Sequence, residues 1–216
     1  MKIDEQLLKD FPGLGVKESI SSNLKIEGLR PELVSFKKEI EDKIRSSNTL
    51  EQIKEQKLVR AYRDFYWKVG IDPTKTRPAG EALARRIIGG KELPTINTFV
   101  DSYNLVSAQT FIAIGAFDMG KIHHRSLSMR KARCGEPFQG IGMQKDAKLD
   151  GVEIVIEDES DHELVAVYPY RDSEASKVTE DSKNVLLLMC GVPGISDEVL
   201  SQTQLLCESY IERFCK

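Results

Sequence analysis

The chain is poor in the residues that build metal centres, crosslinks and membrane spans. Its four cysteines, Cys134, Cys190, Cys207 and Cys215, show no Cys-x-x-Cys spacing, and only His123, His124 and His162 are available as imidazole partners. Nothing in that spacing supports a zinc site. Reduced thiols, no disulfide, no metal and no cofactor are therefore expected. No apolar run approaches the roughly 20 residues that a membrane helix needs. The opening MKIDEQLLKDFPG mixes charges into its first turns and has no signal-type apolar core, so a cytoplasmic location is expected. Low-complexity tracts and internal repeats are missing too. There is no Gly-x-x-x-x-Gly-Lys-Ser/Thr loop for ATP, and neither a Ser-His-Asp nor a Cys-His pairing is apparent.

What the chain does have is segregated charge. The net charge of −3 conceals nine basic residues between Lys57 and Lys91 (Lys57, Arg60, Arg63, Lys68, Lys75, Arg77, Arg85, Arg86 and Lys91) against Asp64, Asp72 and Glu81. Lys121 to Arg133 holds five basic residues and no carboxylate, whereas Asp150 to Glu163 holds seven carboxylates and no Lys or Arg. Such runs are either solvated helix faces or a salt-sensitive phosphate-binding surface. On the second reading Arg60, Arg63, Arg77, Arg85 and Arg86 form a contiguous RNA-binding face near a pocket mouth.

The patterning predicts helices first and strands later. Residues 12 to 28 alternate weakly and read as one or two strands. Pro31 starts a helix through about Arg45, with Leu33, Phe36, Lys37 and Ile40 inward. Asn48 to Glu51 reads as a capping box for a helix running from Leu50 to about Lys68, stopped by Gly70 and Pro73. EALARRII forms a short helix between Pro78 and Gly89. TFIAIGAF, HRSLSMRKA, GVEIVIED, ELVAVYPY and NVLLLMCG read as strands, and ISDEVLSQTQLLCESYIERF as a closing helix capped by Ser196. This order argues an α+β fold rather than repeated βαβ units. With 216 residues and no long linker, one domain is expected, with residues 1–56 an extension of 57–216.

One helical segment stands out. In LPTINTFVDSYNLVS (Leu93 to Ser107), Ile96, Phe99, Val100, Tyr103 and Val106 form an apolar face, and Asn97, Asp101 and Asn104 recur beside it at i, i+4 and i+7. Short amides and a carboxylate are poor helix formers because they compete for nearby backbone. The stripe is either a capping network tying the helix start to a loop, or a set of polar groups bordering a pocket shared with Phe111 to Phe117.

In that order, YRDFYWKVGIDPTKTRPAGEALARRIIGGKELPTINTFVDSYNLVSAQTFIAIGAFDMGKI, SLSMRKARCGEPF and VTEDSKNVLL resemble the tRNA-editing domain of the phenylalanyl-tRNA synthetase beta subunit. They resemble free-standing proteins built from that domain still more. The likeness covers nearly everything after about Lys57. It implies a sandwich-like mixed sheet assembly with helices packed around it, and a trans-acting deacylase that takes a mischarged tRNA as partner. The chain lacks the aminoacylation motifs of class II synthetases, so it is no synthetase by itself.

Hydrolysis of an activated aminoacyl ester needs little beyond a placed water and a polarised carbonyl. The resemblance assigns substrate contacts to Asn97, Asp101, Asn104, position 115 and Asp172, and the catalytic contact to Glu174. Arg130 and Glu136 read as a structural ion pair. Two departures matter: Gly115 stands where synthetase-borne relatives carry histidine, and Tyr168 to Asp172 replaces a Gly-Gly-rich loop. The amino acid and the oligomeric state stay open. So do two other functions: a non-catalytic RNA-binding module, and a binder or hydrolase of free amino-acid derivatives.

Overall fold

A computed structural model describes residues 1–216. Strand β1 (Lys2–Ile3), helix α1 (Glu5–Asp10) and strand β2 (Gly15–Ser21) open the chain. Five helices follow: α2 (Pro31–Ser47), α3 (Leu50–Glu55), α4 (Lys57–Lys68), α5 (Ala79–Ile88) and α6 (Thr98–Thr110). The strand-rich half holds β3 (Ile114–Asp118), β4 (Leu127–Lys131), β5 (Pro137–Phe138), β6 (Ala147–Lys148), β7 (Ile154–Asp158), β8 (Glu163–Tyr168), β9 (Arg171–Asp172) and β10 (Val185–Gly191). Helix α7 (Asp197–Phe214) closes it, capped by the Ser196 side chain.

The fold is α+β. One sheet runs β1-β4-β7-β8-β9, a second β2-β10-β3, and β5 pairs with β6. Only β1 joins its neighbour in parallel. The run VLLLMCG is β10, the central strand of the second sheet, and all of it is buried. That suits a strand covered on both faces, where apolar residues need not alternate with polar ones. Leu127, Met129, Ile154, Ile156 and Ala166 of the first sheet share one core with Ala116, Phe117, Leu186 and Leu188 of the second. The Tyr168 hydroxyl ties the sheets together, donating toward the carbonyls of Gly15 and Gly191 at 3.0 and 2.9 Å.

Several local expectations need correction. The predicted helix from Leu50 to Lys68 is broken at Gln56, whose ψ of 130° is extended. Ile53 and Val59 would sit about 120° apart on an unbroken helix. With the break, both pack with Ala84 of α5 in one buried cluster. The capping box lies one residue later than read, on Thr49 and Gln52. Thr110 ends α6 and Phe111 turns left-handed at φ 61°, so only the last part of TFIAIGAF is strand. Residues 1–56 are built into both sheets, through β1 on β4 and β2 on β10.

Candidate functional site

A small cavity of about 80 Å³ opens where β3, the β8–β9 turn and the first residue of α5 meet. Ala113, Ile114, Phe117, Ile156, Ala166 and Leu188 supply apolar wall, and Asp172 is the one carboxylate in the lining. The segment Tyr168 to Arg171 contributes a further part of the wall. Arg171 stacks over the Tyr170 ring at 5.0 Å, covering it.

Two predicted substrate residues, Gly115 and Asp172, come together here. The carboxylate of Asp172 accepts a hydrogen bond from the Ala116 N–H at 3.0 Å through Oδ2. A Cβ on residue 115 would stand 3.1 Å from Asp172 Oδ1 and 3.4 Å from Phe117 Cζ. Glycine at 115 thus makes room for the carboxylate, which occupies the space a side chain there would need. Asp172 is half-buried and ringed by apolar atoms, with its free oxygen toward the cavity. Burial pushes its pKa up to about 7, only partly offset by the Ala116 hydrogen bond. A carboxylate poised near neutrality can take up and release a proton at working pH.

The Asn97, Asp101 and Asn104 stripe does not line this cavity. Asn97 is the N-cap of α6, its side chain accepting from the Val100 N–H at 2.9 Å. Asp101 accepts from the Ile96 N–H and from Lys37 Nζ, both at 2.9 Å. Lys37 also donates to the Pro94 carbonyl and to Thr95 Oγ1. The capping alternative therefore describes Asn97 and Asp101: together with Lys37 they clamp the loop before α6. Asn104 is half-buried on the same helix, and Ile96 lies exposed ahead of it rather than on its apolar face.

Glu174 is also outside the cavity lining. It is half-buried, paired with Lys177 at 2.7 Å, and the Lys177 ammonium holds its pKa below the usual carboxylate value. Arg130 sits between Glu136 and Glu157, forming a largely buried ion cluster. His123 meets Asp158 and Asp161, their ligand-type atoms within 4.8 Å of one another, but Asp158 is already taken up by the His123 and Ser160 N–H groups. The basic run Lys121 to Arg133 and the acidic run Asp150 to Glu163 meet across the β4–β7 pairing through Arg130 and Glu157, whereas Lys121 pairs with Asp118 and Lys131 with Asp10.

The other basic run is only partly neutralised. Arg63 makes a two-pronged bond to the fully buried Glu81, at 2.8 and 2.6 Å, and Arg60 pairs with Glu55. Arg85 lies 3.7 Å from the same Glu81, and Arg86 donates to the Glu92 carbonyl. Arg77, Arg85, Arg86 and Lys91 line a shallow depression that has no carboxylate in its lining. Arg60 and Arg63 are absent from it, so the expected face of five arginines divides into two groups. Helix α5 joins depression and cavity: Ala79 lines the cavity, and Arg85 and Arg86 lie about 10 Å further along the helix axis.

Sequence reasoning missed the Ala116 N–H, which fixes the Asp172 carboxylate, and the Lys37 partner of Asp101. A backbone donor leaves no trace in residue identity, and Lys37 is 64 residues from Asp101.

A two-sheet α+β body, wrapped by helices and holding a polar-floored cavity between its sheets, has counterparts among known proteins. Residues 61–206 match the B3/4 domain, and the chain belongs to that family. Its fold is similar to that of an N-terminal fragment of the phenylalanyl-tRNA synthetase beta subunit from Pyrococcus horikoshii, with a TM-score of 0.53 at 15% identity. That similarity takes in 99% of this chain and 48% of the fragment, so the chain spans about half the fragment's length. No curated protein matches. No helix is long and apolar enough to cross a membrane.

Proposed function

We propose that this chain is a cytoplasmic aminoacyl-tRNA deacylase that acts in trans, with the cavity beneath Gly115 as the aminoacyl site. The observation that carries the reading is Asp172: a carboxylate held against β3 by one backbone N–H, in an apolar cavity, with its pKa near neutrality. Asp172 takes the catalytic contact expected of Glu174, whose position and ion pair suit a surface acid instead. A water deprotonated by Asp172 attacks the ester carbonyl. The bond to the ribose oxygen then breaks, and that oxygen takes up a proton, freeing amino acid and tRNA. Activated esters need no covalent nucleophile for this.

The basic depression on α5 is the RNA contact of this reading. Its cations stand about two internucleotide steps from the cavity, near enough to hold a phosphate while a terminal nucleotide enters. Neither ATP nor a cofactor takes part. The test is a panel of mischarged tRNAs scored for release of each amino acid. Release by the parent protein, lost in Asp172→Asn, supports the reading. Salt-sensitive tRNA binding without release of any amino acid would leave a binding module instead.

A further inference from the structure

Size and polarity of the cavity together narrow what it takes. An engineered cavity of about 150 Å³ accommodates benzene, a ring of six heavy atoms. The 80 Å³ here leaves room for a group about half that size. The wall cannot easily retreat, because Tyr168 is pinned by its hydrogen bonds to Gly15 and Gly191 and Tyr66 reaches the Pro169 carbonyl. A phenol ring is therefore too large.

The polar requirement is equally narrow. Tyr168 spends its hydroxyl on the other sheet, the Cys190 thiol faces the Leu188 carbonyl, and the Arg171 guanidinium turns to the Ile141 carbonyl. Asp172 Oδ2 is engaged by Ala116, while Oδ1 receives no hydrogen bond from the chain. The cavity thus presents one free carboxylate oxygen among mostly apolar side chains, the Tyr170 hydroxyl being the other polar side-chain group of the lining without a partner in the chain. A hydroxyl brings one donor to match that oxygen. An ammonium group brings three, leaving two without a carboxylate partner in an apolar space. A purely aliphatic group leaves Oδ1 unpaired, and a site built to bond a hydroxyl discriminates strongly against ligands that lack one.

We infer that the cavity selects a short hydroxylated side chain, that of serine or threonine, with its hydroxyl donating to one lone pair of Asp172 Oδ1 and the attacking water to the other. This inference rests on the reading of the cavity as an aminoacyl site and deepens it. The test uses 3′-aminoacyl-adenosine analogues with an amide in place of the ester, so that binding is read without turnover. Seryl, threonyl, alanyl, valyl and tyrosyl analogues are titrated while the Ala116 and Gly115 amide resonances are followed. Seryl or threonyl analogues should bind at least about tenfold tighter than alanyl, valyl and tyrosyl ones, as expected for one hydrogen bond to a charged group. In Asp172→Asn, the Ala116 N–H keeps the amide oxygen and turns the NH₂ into the cavity. The advantage should then fall below about threefold, with the amide spectrum and melting curve confirming a folded variant. Tightest binding by the tyrosyl analogue, equal binding of seryl and alanyl analogues, or no binding by any would overturn the inference. Matching ester panels separate it from the deacylase reading. Hydrolysis of tyrosyl ester alone sinks the serine/threonine choice and keeps the deacylase. Tight seryl or threonyl binding with no ester hydrolysed does the reverse.

Discussion

Two aspartates, one buried and one half-buried at a cavity, have opposite fates. At the start of α6, Asp101 is 3% exposed and fully engaged: Lys37 and the Ile96 N–H satisfy both its oxygens. On β9, Asp172 has a single donor and turns its other oxygen to a cavity. A satisfied buried carboxylate is architecture; it fixes a loop and has no capacity left for a ligand. One with an oxygen free of the chain and open to the cavity keeps that capacity for a ligand or a proton. The same polar residue type thus serves the scaffold in one place and the chemistry in another, and the partner inventory tells them apart.

The sharpest way to break this comparison is to remove each carboxylate in turn. Asp101→Ala leaves the Lys37 ammonium buried without its counter-charge, so denaturant unfolding should show a loss of about 3 to 5 kcal/mol. A loss under about 1 kcal/mol would mean that the pair is not the clamp described. Asp172→Asn should do the contrary at alkaline pH. Its folded pKa of about 7 lies above the ordinary 3.8, so the folded parent holds the proton longer than the unfolded chain. The parent therefore loses stability as pH rises between these values, and the loss is complete above about pH 7. At pH 8 the variant should be more stable than the parent by on the order of 2 kcal/mol, allowing for the part of the carboxylate that meets solvent. Below pH 4 the gain should vanish.

Smaller effects sharpen the comparison at the surface. Arg77→Ala with Arg86→Ala should weaken tRNA binding about tenfold at low salt and flatten the salt slope by about 1.5, without lowering the melting temperature. An unchanged slope would remove the depression from the RNA contact. Glu174→Gln loses only a partly exposed pair with Lys177, so it should alter stability by less than about 0.5 kcal/mol and deacylation by less than about threefold. A hundredfold loss of rate would return the catalytic role to Glu174.

The contrast between the aspartates also marks what the sequence disclosed. Punctuation was legible: Pro31 at the first position of α2, the left-handed Gly70 with Pro73 beyond α4, and Ser196 before α7 all act locally. The apolar run of β10 gave its burial directly. The break at Gln56 had no such mark, because it follows from packing against Ala84, a contact made on another helix. In the candidate site, Gly115 and Asp172 were both named through family resemblance, but that a Cβ at position 115 would come within 3.1 Å of the Asp172 carboxylate follows from how strands of two different sheets face each other. The polar stripe on α6 looked functional because its partners were invisible: Lys37 lies on α2, and an inward lysine in a sequence does not name the carboxylate it meets. Charge segregation misled in part for the same reason, since β4 and β7 bring the basic and acidic runs together.

The most direct test of the account is a site-resolved titration of the Asp172 side-chain carboxyl carbon by NMR, with Asp101 followed in the same spectra as the internal contrast. The cavity-facing Asp172 should titrate with a midpoint near 7. A midpoint in the ordinary carboxylate range near 4 would mean that solvent or an unseen donor satisfies Asp172. The distinction between the two aspartates, and with it the proton-transfer role, would then be contradicted.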